Sequence, residues 1–244
     1  MPRPFLTARW DSLVLLNYRC PPDLLAPLVP VGTELDSWHG QALVSLVGFI
    51  FGDTRLRGLP IPFHRTFEEV NLRFYVRRQV PSGPPRRAVV FIRELVPRRA
   101  IATIARWAYN EPYLAVPMSH SRDLDPARGG RVDYTWRYEG AVFAMGATVA
   151  GPSRPLRPGS EAEFITEHYW GYTRQRDGGT LEYQVEHPPW TVWDRADHHF
   201  TGPARILYGP AFGQVLAAGP SSAYVAVGSA VTVRVGRRLP RHPD

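Results

Sequence analysis

The sequence predicts a β-rich α+β domain with a few short helices, and three observations carry this. The stretch TFEEVNLRFYV (66–76) alternates residue by residue at the period of a strand. The run ALVSLVGFIF (42–51) is almost wholly apolar and rich in branched and aromatic side chains, as in a strand buried on both faces. Two pairs of strand-like runs are separated by Glu139-Gly140 and by Asp177-Gly178-Gly179, the spacing of β-hairpins.

In chain order, FLTARWDSLVLLNYR (5–19) reads as an entry segment and a first strand. Pro21-Pro22-Asp23 starts a short helix, DLLAPLV, whose first turn the prolines pre-set. RGLPIPFHR (57–65) is a proline-punctuated loop carrying His64. In TFEEVNLRFYV, Glu68, Val70, Leu72, Phe74 and Val76 share one face, and Phe67, Glu69, Asn71, Arg73 and Tyr75 the other. A half-solvated strand gives this pattern; a barrel strand with a polar interior gives it too. If the polar face is interior, Glu69 with Asn71, Arg73 and Tyr75 could orient a small polar ligand. PSGPPRR (81–87) reads as a turn and AVVFIREL (88–95) as a strand.

PRRAIATIARWAYN (97–110) places Ile101, Ile104, Ala105 and Ala108 at helical spacing. Asn110-Glu111-Pro112 turns that helix into the strand YLAVPMS (113–119). Such a corner can present side chains into a cavity on a rigid scaffold, though Asn and Pro are also ordinary turn residues. RDLDPARGGR (122–131) reads as a loop, and VDYTWRY and AVFAMGATVA as a hairpin. Ser160 and Glu163 form a capping box for the helix SEAEFITEH. YWGYTRQ and TLEYQVEH form a second hairpin, with Leu181, Tyr183 and Val185 inward and Glu182, Gln184 and Glu186 outward. PPWTVWDRADHHF (188–200) reads as a loop or irregular edge. ARILYG, a short QVLA segment and the strand AYVAVGSAVTVRV (223–235) follow, and 236–244 reads as a frayed end. With no repeat, linker or composition break, 1–244 is expected to form one domain.

Composition narrows the chemistry. The net charge is +7, and because the chain contains no lysine, all 29 basic residues are arginine. The arginines are scattered, with no basic run interleaved with aromatics, which argues against a nucleic-acid partner. No side chain here can form a Schiff base, since that requires a primary amine. The single cysteine, Cys20, excludes an internal disulfide framework, and a reduced cytoplasm is the simplest compartment. No segment approaches the roughly 18 consecutive apolar residues of a membrane span, and the N-terminus shows no signal-peptide pattern.

Familiar signatures are missing: no GxGxxG, no GxxxxGK[ST] and no GxSxG elbow. Asp194, Asp197, His198 and His199 form the only cluster resembling metal ligands. Adjacent histidines on a strand point apart and no second spaced pair exists, so no metal or cofactor is expected. His168 sits among aromatics in EHYWGY, the setting of a core histidine as readily as of a ligand.

The series LNYRCPPDLLAPLVPVGTELD, ALVSLVGFIF, GLPIPFHRTFEEVNLRFYV, VVFIREL, WAYNEPYLAVPM and TEHYWGY resembles the YqjF-like proteins of the DUF2071 type, over nearly the whole chain. That family is similar to the acetoacetate decarboxylase-like superfamily. The resemblance implies a closed, largely antiparallel β-barrel with flanking sheet and helix elements and an internal pocket. It also implies a homodimer or larger assembly. In the decarboxylases an arginine follows a tyrosine in the first strand, and Arg19 falls at the matching place. Their pocket glutamate lies on a strand that TFEEVNLRFYV resembles, which makes Glu69 or Glu68 the counterpart, Glu69 being the one on the polar face. Their Schiff-base lysine follows a turn that here reads Asn110-Glu111-Pro112, and Tyr113 stands in its place. The resemblance therefore implies a retained pocket and lost decarboxylase chemistry.

These readings converge on a small-molecule ligand, an oxygenated or carboxylated metabolite. As an enzyme of lyase, isomerase or hydratase type, the chain would use Glu111 or Glu69 as general acid or base. Arg19 would hold an anionic group, and Asn71, Asn110, Tyr113 and His168 would orient the ligand. The alternative is a non-catalytic binding protein using the same pocket.

Overall fold

The computed structural model describes residues 4–60, 65–98, 102–103 and 109–240. The first strands are β1 (Pro4–Arg19), β2 (Glu34–Leu35), β3 (Leu43–Leu56), β4 (Leu59–Pro60), β5 (Phe67–Arg78) and β6 (Arg86–Val96). Next come β7 (Tyr113–Ala115), β8 (Met118–Asp125), β9 (Gly129–Tyr138), β10 (Ala141–Ala150) and β11 (Arg154–Pro155). The last are β12 (Trp170–Arg174), β13 (Thr180–Glu186), β14 (Thr191–Trp193), β15 (Asp197–Thr201), β16 (Ser222–Arg234) and β17 (Arg237–Arg238). Short helices join them, among the described residues α1 (Pro22–Leu25), which runs into a 3-10 turn, α2 (Glu161–Thr166) and α3 (Ala204–Ala217). Most of the helix expected over 97–110, and His64 of the 57–65 loop, lie outside the described residues.

One large sheet follows the order β11-β14-β16-β1-β3-β5-β6-β12-β13-β17, and β13 also pairs with β16, Val185 lying opposite Val233. The pairings are antiparallel except β6 with β12 and β6 with β7. A second sheet, β15-β10-β9-β8, packs against one side of the first. The layer between them holds Val14, Leu16, Leu46, Leu72 and Phe74 from the large sheet, and Tyr134, Trp136 and Phe143 from the small one. Gly48 lets the two sheets approach: a Cβ there would lie 2.7 Å from the Tyr134 ring. On its other side the large sheet curves around a second cluster that includes Leu13, Val47, Phe49, Phe51 and Phe67.

Strand β5 is thus buried on both faces, and its alternating polar residues point inward to protein, not to water. The half-solvated reading of this strand is thereby corrected: alternation reports two different environments, and here the polar one is interior.

Four other expectations change. The 122–131 segment is not a loop but the end of β8 and the start of β9, closed by a turn at 126–128. Its charged residues suit an edge strand with one solvated face. The 188–200 segment contributes β14 and β15. Glu182 does not face outward: it is 1% exposed, held by Tyr172, Arg78, Arg86 and Arg237. The tail is not frayed through 236–240, because β17 pairs with β13 and Leu239 is buried; 241–244 lie outside the described residues.

Local chemistry follows the sequence where turns and caps decide it. Glu139 and Gly140 both take positive φ (47° and 79°), the left-handed pair that a two-residue hairpin of matching twist requires. The Glu163 N–H donates to the Ser160 hydroxyl at 3.2 Å, capping α2, while the Glu163 carboxylate accepts from the Gly159 N–H instead of from Ser160. ARILYG and QVLA join in α3, which bends at Gly209 before Pro210.

Candidate functional site

The inward face of β5 presents Phe67, Glu69, Asn71 and Arg73 to a cavity of about 160 Å³. That is close to the roughly 150 Å³ that admits a benzene-sized molecule in other proteins. Strand β6 lines the next wall. Its Phe91 pairs with Arg73 and its Arg93 with Leu72, so Ile92 between them is an extra residue, a β-bulge. The bulge changes which parity faces inward: Val89 and Phe91 line the cavity before it, and Glu94 after it. Glu94 thereby sits opposite Asn71 on β5 and beside Tyr113 on β7. Glu111, Tyr183, His168, His187, Thr54 and Thr166 add to the polar lining, while Trp10, Phe49, Phe51 and Trp190 contribute aromatic wall.

Three buried carboxyl groups therefore line one cavity. The Tyr113 hydroxyl and Asn71 Nδ2 each donate to Glu69, both at 3.0 Å. The Tyr183 hydroxyl donates to Glu111 at 2.8 Å, and the Thr173 hydroxyl donates to the same oxygen. Glu94 Oε2 is buried with no hydrogen-bond partner among the described residues, as are Asn71 Oδ1, Arg73 Nε and His168 Nδ1. Tyr183 can lie over Glu111 because its cross-strand partner is Gly171, where a Cβ would meet the ring at 2.2 Å.

Burial dominates the electrostatics. It raises Glu69 to about 7 against the opposing pull of Asn71, Tyr113 and Arg73. It raises Glu111 to about 7 as well, opposed by Thr173 and Tyr183 and reinforced by the charge of Glu69. Burial, then the charges of Glu111 and Glu69, push Glu94 well above the usual carboxyl range against an opposing bond from Tyr113, and so favour its protonated form. Burial and the surrounding carboxylates likewise keep the Tyr113 phenol protonated. Burial, with Arg87 and Arg73 nearby, drives His168 well below its ordinary value, leaving a neutral imidazole. Among the described residues Arg73 is the arginine lining this cavity; it donates to the Ile165 carbonyl at 3.2 Å.

Of the residues singled out from the sequence, Glu69, Asn71, Glu111, Tyr113 and His168 are brought together around the cavity. Glu68 faces the other way and pairs with His120 at 2.7 Å. Two expectations are corrected. Arg19 is exposed at the end of β1 and does not line the cavity, so it is not placed to hold a ligand's anionic group. Asn110 has φ 57° and donates to the Arg174 carbonyl at 2.8 Å; it shapes the turn and does not reach the cavity. Sequence reasoning missed Glu94, because the bulge hides its facing, and gave no role to Thr173 or Tyr183; Arg73, grouped with Glu69, Asn71 and Tyr75 on the polar face, does line the cavity, whereas Tyr75 does not. A register argument pairing Asn71 with Glu94 would have found the first. Asp194 pairs with Arg157 and His199 with Asp133, and no group of three metal-ligating side chains occurs among the described residues.

Comparison with known proteins agrees with this architecture. The model of the DUF2071 family, described as an uncharacterized conserved protein, matches residues 7–229. The chain is 28% identical over 189 residues to the uncharacterized protein YqjF of Bacillus subtilis, covering 75% of this chain and 73% of that one. Among solved structures, acetoacetate decarboxylase from Legionella pneumophila aligns with a TM-score of 0.64 at 14% identity, over 96% of this chain and 87% of that one. The enduracididine biosynthesis enzyme MppR complexed with pyruvate aligns with a TM-score of 0.67 at 17% identity, over 98% and 92%. An acetoacetate decarboxylase-like enzyme from Sphingomonas wittichii gives 0.63 at 14% identity, over 96% and 92%. At such identities these likenesses speak for the fold alone. With the family model spanning nearly the whole chain, the protein belongs to the DUF2071 family.

Proposed function

We propose that this chain is a single-domain, small-molecule enzyme of lyase, isomerase or hydratase type, with Glu69 or Glu111 as the group that moves a proton. The observation that carries the reading is the pair of buried glutamates facing one cavity, each raised to about 7 and each fixed by two hydrogen-bond donors. A carboxyl group poised near neutral pH can both accept and return a proton, which is what general acid–base catalysis asks of it. Asn71, Tyr113 and His168 would orient the ligand, and Arg73 takes over the role expected of Arg19. No side chain offers an imine-forming amine, so the chemistry would proceed without a Schiff base.

The succession of pairings β16-β1-β3-β5-β6-β12-β13 and back to β16 supports a closed barrel around the cavity. That the solved neighbours include enzymes of the acetoacetate decarboxylase-like fold supports an enzyme as well. The largely aromatic wall is what favours the second reading, a protein that holds an apolar metabolite without turnover.

The test is to incubate the protein with a small-molecule extract of its source cells and follow the extract by mass spectrometry. A compound consumed by the wild type and spared by Glu111→Gln or Glu69→Gln supports the enzyme. A compound bound equally by all three and consumed by none supports the binding protein.

A further inference from the structure

We propose that the Glu94 carboxyl group is the hydrogen-bond donor to the carbonyl oxygen of a small ketone or aldehyde bound in the cavity. The inference rests on the acid–base reading above and names its substrate class. Glu94 is 2% exposed, and its Oε2 is a buried polar atom on the cavity wall with no hydrogen-bond partner among the described residues. Buried polar atoms almost always have partners, so an orphan on a cavity wall points to a missing ligand atom. Burial and its two acidic neighbours raise this carboxyl well above the usual range and so favour the protonated form, which is a donor. A ligand acceptor, not a ligand donor, is therefore what it lacks.

The neighbours narrow the class further. Glu94 lies directly beside Tyr113, another neutral hydroxyl donor, and opposite Asn71. A neutral carboxylic acid beside a tyrosine is a known way of stabilising the oxygen of an enolate in apolar surroundings. A carboxylate ligand would bring a further negative charge to three acidic groups served by Arg73. An ammonium ligand carries donors alone and would offer the Glu94 hydroxyl no acceptor. An uncharged carbonyl compound adds no charge and supplies that acceptor.

The step balances without any further reactant. The carboxylate of Glu69 or Glu111 takes a proton from the carbon next to the carbonyl. The C–H electron pair becomes the new C=C bond, and the carbonyl π pair moves onto oxygen, where the Glu94 O–H stabilises it. Where the ligand carries a C=C one carbon further on, returning the proton to the far end of that bond gives isomerisation. Where a leaving group sits on the β carbon, C=O re-forms, the enolate C=C pair moves to the α–β bond, and the group departs with its bonding pair and the glutamate's proton. In an enzyme with no lysine, this donor does what an iminium would otherwise do as electron sink.

The experiment is infrared difference spectroscopy of the purified protein with cyclohexanone isotopically labelled at its carbonyl. In the wild type the bound ketone's carbonyl stretch is expected to move to lower frequency than in an alkane. A protonated-carboxyl band of the protein should shift on binding and be absent from Glu94→Gln. Glu94→Gln keeps an N–H donor and should retain part of the ketone shift, whereas Glu94→Leu should abolish it. An alkane-like carbonyl stretch in the wild type, an unmoved carboxyl band, or cyclohexylammonium or cyclohexanecarboxylate binding tighter than the ketone overturns the proposal. The wild-type spectra decide this even if the leucine variant does not fold. Deuterium exchange into the same ketone in heavy water reads the acid–base role separately. A shifted carbonyl without exchange keeps Glu94 as donor and removes the catalytic reading, and exchange with an unshifted carbonyl does the reverse.

Discussion

Replacing Glu111 with glutamine should change how stability depends on pH more than it changes stability itself. A carboxyl group whose value is raised by folding favours the folded state fully below about 4.5 and loses that contribution as pH rises through about 7. For Glu111 the gap runs from 4.5 in the unfolded chain to about 7 in the folded one. At about 1.4 kcal/mol for each pH unit of that gap, ionising Glu111 costs the folded protein about 3 kcal/mol. Glutamine cannot ionise, so Glu111→Gln should gain about 3 kcal/mol relative to the wild type between about pH 4 and about pH 8. Relief of the repulsion that Glu111 exerts on Glu94 acts in the same direction. Urea unfolding followed by the fluorescence of the 7 tryptophans measures this at each pH. Acid-sensitive groups elsewhere cancel in the difference. Parallel pH profiles for the two proteins would refute the claim that Glu111 is a buried, proton-retaining acid.

Other substitutions probe the supports of the site. Gly171→Ala puts a Cβ 2.2 Å from the Tyr183 ring and should cost about 1–3 kcal/mol; adding Tyr183→Ala should recover much of that in a thermal-melt double-mutant cycle. Gly228→Ala is expected to cost about 3 kcal/mol in urea, because φ is 85° and the new Cβ would lie 2.1 Å from the Trp10 carbonyl oxygen, which cannot move without β1. Glu182→Gln should cost about 2 kcal/mol, below the usual loss for a broken buried pair because the Arg237 side chain is 62% exposed. Its pH dependence has the opposite sign to that of Glu111. Burial raises the Glu182 carboxyl, but the bonds from Tyr172, Arg237 and Arg86 outweigh burial and hold it below its ordinary value. Its contribution is therefore present above about 4.5 and lost as pH falls below that range; a wild-type-minus-variant difference that stays flat in acid would refute it.

The strands were legible because their signals are local. The period of TFEEVNLRFYV and the turn residues at Glu139-Gly140 specify conformation with no help from the rest of the chain. The site was legible only in part, because facing is not local. Alternation placed Glu69, Asn71 and Arg73 together, but it could not say whether their side of β5 met water or protein. Glu94 was hidden by one unpaired residue, Ile92, which no periodicity announces. Tyr183 was read as inward and Glu182 as outward, yet both are buried, since three arginines from distant strands converge on Glu182. Arg19 was misplaced for a different reason: correspondence in sequence with another family's arginine does not carry its side-chain direction along.

The absence of lysine can be tested from the opposite side, by supplying one. The resemblance puts Tyr113 where the decarboxylases have their imine-forming lysine, so Tyr113→Lys looks like a restoration. The surroundings argue otherwise. An amine is nucleophilic only when unprotonated, which requires cationic neighbours or an apolar, uncharged pocket. Position 113 instead borders Glu69, Glu94 and Glu111. An ammonium there would draw protons off these acids and be held in its charged form by them. Tyr113→Lys should therefore give no borohydride-trapped adduct with acetoacetate at neutral pH, as read by intact-protein mass spectrometry. Adding Glu69→Gln and Glu94→Gln should make trapping detectable, since the carboxylates that hold the ammonium are then reduced to one. A trapped adduct in the single variant would mean that the three carboxyls do not set the charge state of this cavity, and both the acid–base assignment and the donor role of Glu94 would fall with that premise.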